Sequence, residues 1–199
     1  MKKVVVPKPC NSEVEKYLKK WDTLENYRLQ EDSLDKLFFN TYPNNNDIND
    51  ILIKASSLND FYSTNIFSIF PVAKHILNLN IDTKLKNSDE SLVNDIAKIN
   101  ISGKDKFFYS FATKYCSHHN PTEFPIYDSF VEKILLHFKK EDKFSIFKKE
   151  DLKDYEKFKE ILKVFKKYYD IDKYDLKDID KYLWQLGKEY FPKKYKKEK

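Results

Sequence analysis

Apolar residues recur at three- and four-residue spacing through nearly the whole chain, and almost nowhere do they alternate. That period belongs to helices with one buried face. Val14, Tyr17, Leu18, Trp21 and Leu24 mark the first stripe. Ser12 and Glu15 ahead of it read as a capping box, each satisfying a backbone amide near the other. Ser33 opens a second stripe through Leu34, Leu37 and Phe38, which stops at Pro43 and the run Asn44–Asn46. Asp47 then caps a helix carrying Ile48, Ile51, Leu52 and Ala55. Ile69, Phe70, Val72, Ala73, Ile76 and Leu77 follow, with Pro71 tolerable in the first turn. Ser88 leads into Leu92, Val93, Ile96 and Ala97. The charged stretch from Asp151 to Tyr169 carries Leu152, Tyr155, Phe158, Leu162 and Phe165, and the last stripe is Leu176, Ile179, Leu183 and Leu186. Gly187 suits the left-handed position after that helix, although the next residues are able to continue it. No stretch reads as a strand, and the class expected is all-α.

The stretch Asn100 to Phe138 concentrates the unusual residues: a glycine, a cysteine, two prolines and three histidines. It predicts helix, loop, helix. The first helix follows Gly103 and carries Phe107, Phe108, Phe111, Ala112 and Tyr115; the loop runs His118 to Pro125. The second helix opens at Tyr127–Asp128–Ser129 and carries Val131, Ile134, Leu135 and Phe138. Asp128 or Ser129 caps it, and the helix dipole favours an ionised carboxylate there. Asn59 to Asn65 interrupts the apolar period with polar side chains, which suits a pocket or wedge loop, or else an ordinary helix connection whose side chains cap ends.

Composition narrows the classes. Two glycines and seven prolines in 199 residues oppose a turn-rich β fold. The length fits one domain, residues 1–199, with an extended lead-in over 1–11 and a basic C-terminal tail over 192–199. No apolar run is long enough to span a membrane, and three valines make too short a core for a secretion signal, so a cytoplasmic protein is expected. Cys10 and Cys116 lie far apart, and a disulfide is not expected. Cys116, His118 and His119 lack the second ligand pair of a zinc site, so neither metal nor cofactor is expected. The net charge is +5, yet Arg28 is the sole arginine among 37 basic residues. Lysines grip phosphates, but arginine is the preferred reader of base edges.

A glycine loop and helix followed by an apolar pair, Asp and the start of a second helix resembles the helix-hairpin-helix DNA glycosylase superfamily. Pro125-Ile126-Tyr127-Asp128 and Ser57–Leu58–Asn59 carry the likeness, over roughly Leu34 to Phe138. The resemblance implies a two-lobed helical bundle that binds double-stranded DNA and excises a damaged or modified base. It implies Asp128 as the catalytic carboxylate, and Lys106 as the nearest lysine for a Schiff base, at a spacing a few residues longer than usual. Asn59, Tyr62, Tyr109 and Tyr127 would line the base pocket. Ser102, Gly103 and Lys104 would grip the DNA backbone, with one glycine where the family usually has two. The alternative is a catalytically silent module on the same fold, binding DNA or a protein partner within a larger assembly. A plain helical accessory module is the third reading.

Overall fold

A computed structural model of the chain describes residues 5–192. The last part of the expected basic tail, residues 193–199, lies outside the described residues. Ten α-helices form the core: α1 Asn11–Asp22, α2 Glu25–Asp35, α3 Ile48–Phe61, α4 Ile69–Leu79, α5 Asp82–Lys86, α6 Ser91–Ala97, α7 Tyr109–His119, α8 Ser129–Glu141, α9 Tyr155–Tyr168 and α10 Leu176–Tyr190. A π-helical segment, Lys36–Thr41, extends α2, and a 3-10 turn, Lys149–Lys153, precedes α9. No helix among the described residues is long and apolar enough to cross a membrane.

The expectation of no strand is corrected. Lys98–Ile101 (β1) and Lys104–Phe107 (β2) pair antiparallel, with Ile101 opposite Lys104. Ser102 and Gly103 take φ of 51° and 78°, the double left-handed geometry of a two-residue hairpin turn. Asn100 stabilises it by accepting the Gly103 amide at 3.0 Å and donating to Asp105 at 2.7 Å. The glycine therefore closes a β-hairpin and does not precede a helix. The helix expected after Gly103 begins at Tyr109.

Four helix boundaries also differ. Ser12 and Glu15 form no capping box: the cap residue is Cys10, whose side chain bonds no helix amide, and Glu15 accepts from Lys173 and Tyr174 instead. Ser33 lies inside α2, where its hydroxyl bonds back to the Leu29 carbonyl at 2.7 Å. The helix expected from Asp151 begins at Tyr155, with Asp154 as its cap. Gly187 lies within α10, because a Cβ there would sit 2.7 Å from both Cβ and the carbonyl oxygen of Phe130. The glycine lets α10 and α8 approach closely, and this is among the most extensive helix pairings in the fold. Asp47 does cap α3, and Pro71 does sit in the first turn of α4. Cys10 and Cys116 are free thiols.

The buried apolar residues make one contiguous cluster from Val6 to Leu186. α7 runs through its middle, with nine of its eleven residues buried. Its apolar side, including Phe111 and Tyr115, meets core from α3 and α6. Its other side is polar, with Thr113, Lys114, Ser117 and His118 buried and Ser110 half-buried. A buried polar stripe on a central helix requires partners from neighbouring elements, and those partners define the candidate site.

Candidate functional site

Lys114 projects from α7 with its side chain 3% exposed, and its ammonium lies 3.8 Å from the Asp128 carboxylate. The ammonium donates to Ser110 Oγ at 2.6 Å and to the carbonyl of Tyr127 at 3.4 Å, and it stands 5.2 Å over the Tyr62 ring. Asp128 caps α8 by accepting the Phe130 amide at 2.8 Å. The cap expected at this position is therefore present, and the same carboxylate faces a buried cation.

The segment holding Asp128 is pinned by side chains along its backbone. Ile126 N donates to Asp180 of α10 at 2.7 Å, Tyr127 N to Thr113 of α7 at 3.2 Å, and the Pro125 carbonyl accepts from Tyr155 of α9 at 3.0 Å. Ser110 donates to the Tyr127 carbonyl at 3.2 Å. A loop so fixed from three helices holds its carboxylate in one place, which is what a reacting pair needs.

Tyr62 ends α3 and sits at the centre of the polar groups. Its hydroxyl and His118 Nε2 are 3.0 Å apart, and His118 Nδ1 is 3.6 Å from Asp35. Burial raises the Tyr62 pKa, and the carboxylates of Glu31, Asp180, Asp35 and Asp128 raise it further. The phenol thus stays neutral inside a ring of carboxylates. Burial works against the ionised form of Asp35, but His118 and Lys177 hold its carboxyl below the usual range. Asp180 goes the other way: burial lifts its pKa well above normal, only partly offset by the Ile126 amide and Lys114.

The remaining expected residues fall in different places. Tyr127 and Tyr109 are buried beside one another at 4.9 Å between ring centres, with Tyr127 also bonded to Glu132. Tyr109 stacks on Phe107, and its hydroxyl is buried without a partner. Asn59 closes its own loop: its side-chain oxygen accepts from Thr64 and the Ile66 amide, and its amide group donates to the Ile66 carbonyl. The polar stretch after it is a helix connection with left-handed Ser63 and Asn65. Lys106 lies on the exposed strand β2, opposite Ile99. Ser102, Gly103 and Lys104 belong to the hairpin turn and its first strand residue, not to a turn leading into a helix.

The lysine that the fold brings to Asp128 is Lys114, which the apolar periodicity passes over. The available signal was the polar recurrence at Ser110, Lys114 and His118, four residues apart on one face of the helix. Cys116, His118 and His119 do not converge. His118 turns to Tyr62 and Asp35, while His119 meets Asn45 at 3.2 Å and Lys54 at 3.4 Å. Lys54 is itself buried, donating to the carbonyls of Tyr42 and Asn44 at 3.0 and 2.8 Å and to Asn45 Oδ1 at 2.7 Å. Burial brings its pKa down to about 8, against the pull of Asp82 and Asp50. The His119 pKa is held well below normal, by burial first and then by Lys54. This second cluster ties the loop after the π segment to α3, α5 and α7.

A family model, HI_0787_N, described as an N-terminal domain, matches residues 13–123. It spans Asn59, Tyr62 and Lys114 and stops short of Asp128. A protein of Haemophilus influenzae, described as uncharacterised, is 55% identical over 147 residues, covering 73% of this chain and 70% of its own. No solved structure matches the chain. More than half of the chain is covered by that family model, and the relative matches at high identity over most of both sequences. The chain therefore belongs to the HI_0787_N family.

Proposed function

We propose that the protein binds double-stranded DNA and excises a damaged or modified base, with Lys114 as nucleophile and Asp128 as its carboxylate partner. One observation carries the reading: a buried lysine ammonium 3.8 Å from a carboxylate that caps the next helix. The finer fold assignment, a two-lobed bundle of the helix-hairpin-helix glycosylase type, belongs to this reading. It rests on the order helix, loop, Asp-capped helix around that pair. The same reading puts the protein in the cytoplasm, where DNA is present and Cys10 and Cys116 stay reduced.

Base excision at C1′ requires the nucleotide to leave the stack, because the glycosidic bond is shielded in a duplex. Lys114, once it has lost a proton, attacks C1′ with its amine. The bond from C1′ to the base nitrogen breaks, and the base leaves with that electron pair and takes up a proton from water; the C1′–O4′ bond then opens, the ring oxygen takes the proton that the lysine nitrogen gives up, and an imine joins Lys114 to C1′. The ionised Asp128 stabilises the positive charge that grows on the sugar, more in the transition state than before it. Lys106 has no part in this scheme.

Borohydride trapping tests the reading. The wild type is incubated with duplexes carrying a panel of damaged bases or an abasic site, and a covalent protein–DNA adduct is expected. Lys114→Gln should form none. An adduct that survives in Lys114→Gln places the nucleophile elsewhere, and no adduct and no base release with any duplex removes the enzyme reading.

The binding-module reading is supported by Phe67, which is fully exposed between α3 and α4, one turn before the exposed Phe70. A protein that releases no base yet binds DNA in a salt-sensitive way would favour it.

A further inference from the structure

The polar stripe of α7 is closed off from solvent. The Lys114 side chain is 3% exposed, so a substrate reaches its ammonium only if a neighbouring element moves. α2 covers the outer end of the stripe. Its Asp35 lies 3.6 Å from His118 Nδ1, and Glu31 and Asp35 both act on the Tyr62 phenol. Yet α2 has little apolar seating. Leu34, at the end next to the π-helical segment, is its one buried residue, while Leu29 faces solvent. Its hold on α10 is charged instead: Glu31 pairs with Lys177 at 3.2 Å and Lys181 at 2.9 Å, and Asp35 with Lys177 at 3.3 Å. Glu31 also accepts from Trp21 at 3.1 Å, and Tyr27 adds a ring contact with Trp184 at 5.0 Å between centres. Partly exposed ion pairs hold weakly, and a helix with few apolar contacts opens ahead of the core.

We propose that α2 is a lid over the stripe of Tyr62, His118 and Lys114, latched by Glu31 and Asp35 to Lys177 and Lys181 and hinged at Lys36–Thr41. The proposal rests on the base-excision reading only in taking Lys114 as the group that must be reached. The hinge is anchored: Phe38 of the π-helical segment is buried against Tyr115 and His119, with ring centres 5.3 and 4.9 Å apart. When the lid swings from α10, the four latch charges pass into water, where each is solvated, and little apolar surface is uncovered. The open state therefore lies within reach of the closed one. Asp35 leaves His118 in the same movement, and Tyr62 loses two of the four carboxylates that act on it. Closing restores the dry, charged surroundings of Lys114 and Asp128.

The test reads access and uses no DNA. The protein is acetylated with a water-soluble amine reagent, digested, and each lysine is quantified by mass spectrometry. Lys159 of α9 is the internal reference, with its side chain 7% exposed and paired to Glu90 and Glu123. Lys177→Met removes two of the three latch pairs. Lys114 in this variant should be acetylated at least about fivefold faster than in the wild type, the scale of losing such a network. Lys159 should be labelled at its wild-type rate. In the wild type, the amides of α2 should exchange with deuterium faster than those of α7 and α10. That measurement needs no variant and carries the test if Lys177→Met fails to fold. Lys114 labelled no faster in the folded variant, or only in step with Lys159, overturns the lid. So do α2 amides as slow as those of α7. A wild type that opens α2 yet releases no base removes the excision reading and leaves the lid standing.

Discussion

Asp128 divides its work between two oxygens. Oδ1 accepts the Phe130 amide and caps α8, while Oδ2 faces Lys114. Asp128→Asn keeps the first role, since an amide oxygen caps nearly as well. It leaves Lys114 buried opposite a neutral group. Breaking a buried ion pair costs several kcal/mol, but Asp128 is partly exposed and Ser110 still accepts from the ammonium. Loss of about 1–2 kcal/mol is expected in urea unfolding, more than a cap alone and less than a fully buried pair. Base release should fall by orders of magnitude in the same variant. Release at the wild-type rate would show that the charge of Asp128 is not used. Asp128 was legible in the sequence, because a short polar residue after an apolar pair and before an apolar stripe marks a cap. Lys114 was not. A chain with 37 basic residues offers no reason to prefer one lysine, and this one is set apart by burial next to the Asp128 carboxylate, which only the fold shows.

At the scale of elements, periodicity located most of the helices, passed over α5 and the greater part of α2, and misjudged what separates α6 from α7. β1 and β2 are four residues each, and Phe107 and Phe108 extend the apolar period of α7 backwards, so a helix seemed to begin too early. The hairpin is written in Ser102–Gly103, a two-residue turn whose glycine also suits the approach to a helix. Gly187 misled for a related reason: its purpose lies on another helix. Its missing side chain accommodates Phe130 of α8, a contact that sequence spacing does not reveal. Gly187→Ala removes an intrinsic helix penalty of about 1 kcal/mol but inserts a methyl group 2.7 Å from backbone and Cβ atoms. Overpacking of that kind costs about 1–3 kcal/mol, and backbone atoms yield least. The net effect should be destabilising, lowering Tm by a few degrees in calorimetry. A higher Tm would mean that the two helices separate without strain.

For the whole molecule, titration links stability to the second polar cluster. Lys54 has a folded pKa of about 8 against an ordinary 10.5. Between those values the unfolded chain holds more protons than the folded one, so this lysine makes stability rise with pH. The gain is at most on the order of 1 kcal/mol per pH unit. Buried tyrosines oppose it above their ordinary pKa of 10.0, because Tyr62, Tyr109 and Tyr115 must stay neutral to remain folded. Tm should therefore climb from pH 8 towards 10 and decline beyond. Lys54→Met should flatten the climb, whatever it does to stability at pH 7. A wild type whose Tm is level from pH 8 to 10 would show that the carbonyls of Tyr42 and Asn44 keep the ammonium charged. The helical class was legible outside the hairpin, since composition and period agreed. The polar interior was not, because its groups come from positions as distant as Asp35 and Asp180 and meet only after packing.

The pinned segment from Pro125 to Asp128 sets an order of assembly. Two of its anchors, Tyr155 and Asp180, lie later in the chain than the loop they hold. During synthesis Lys114 and Asp128 emerge first, close in sequence and with only the bonds of Ser110 and Thr113 to Tyr127 to hold the gap between them. Their alignment waits for α9 and α10 to dock. A nascent chain therefore carries Lys114 and Asp128 without the anchors of α9 and α10, and their final spacing is set only when those two helices dock.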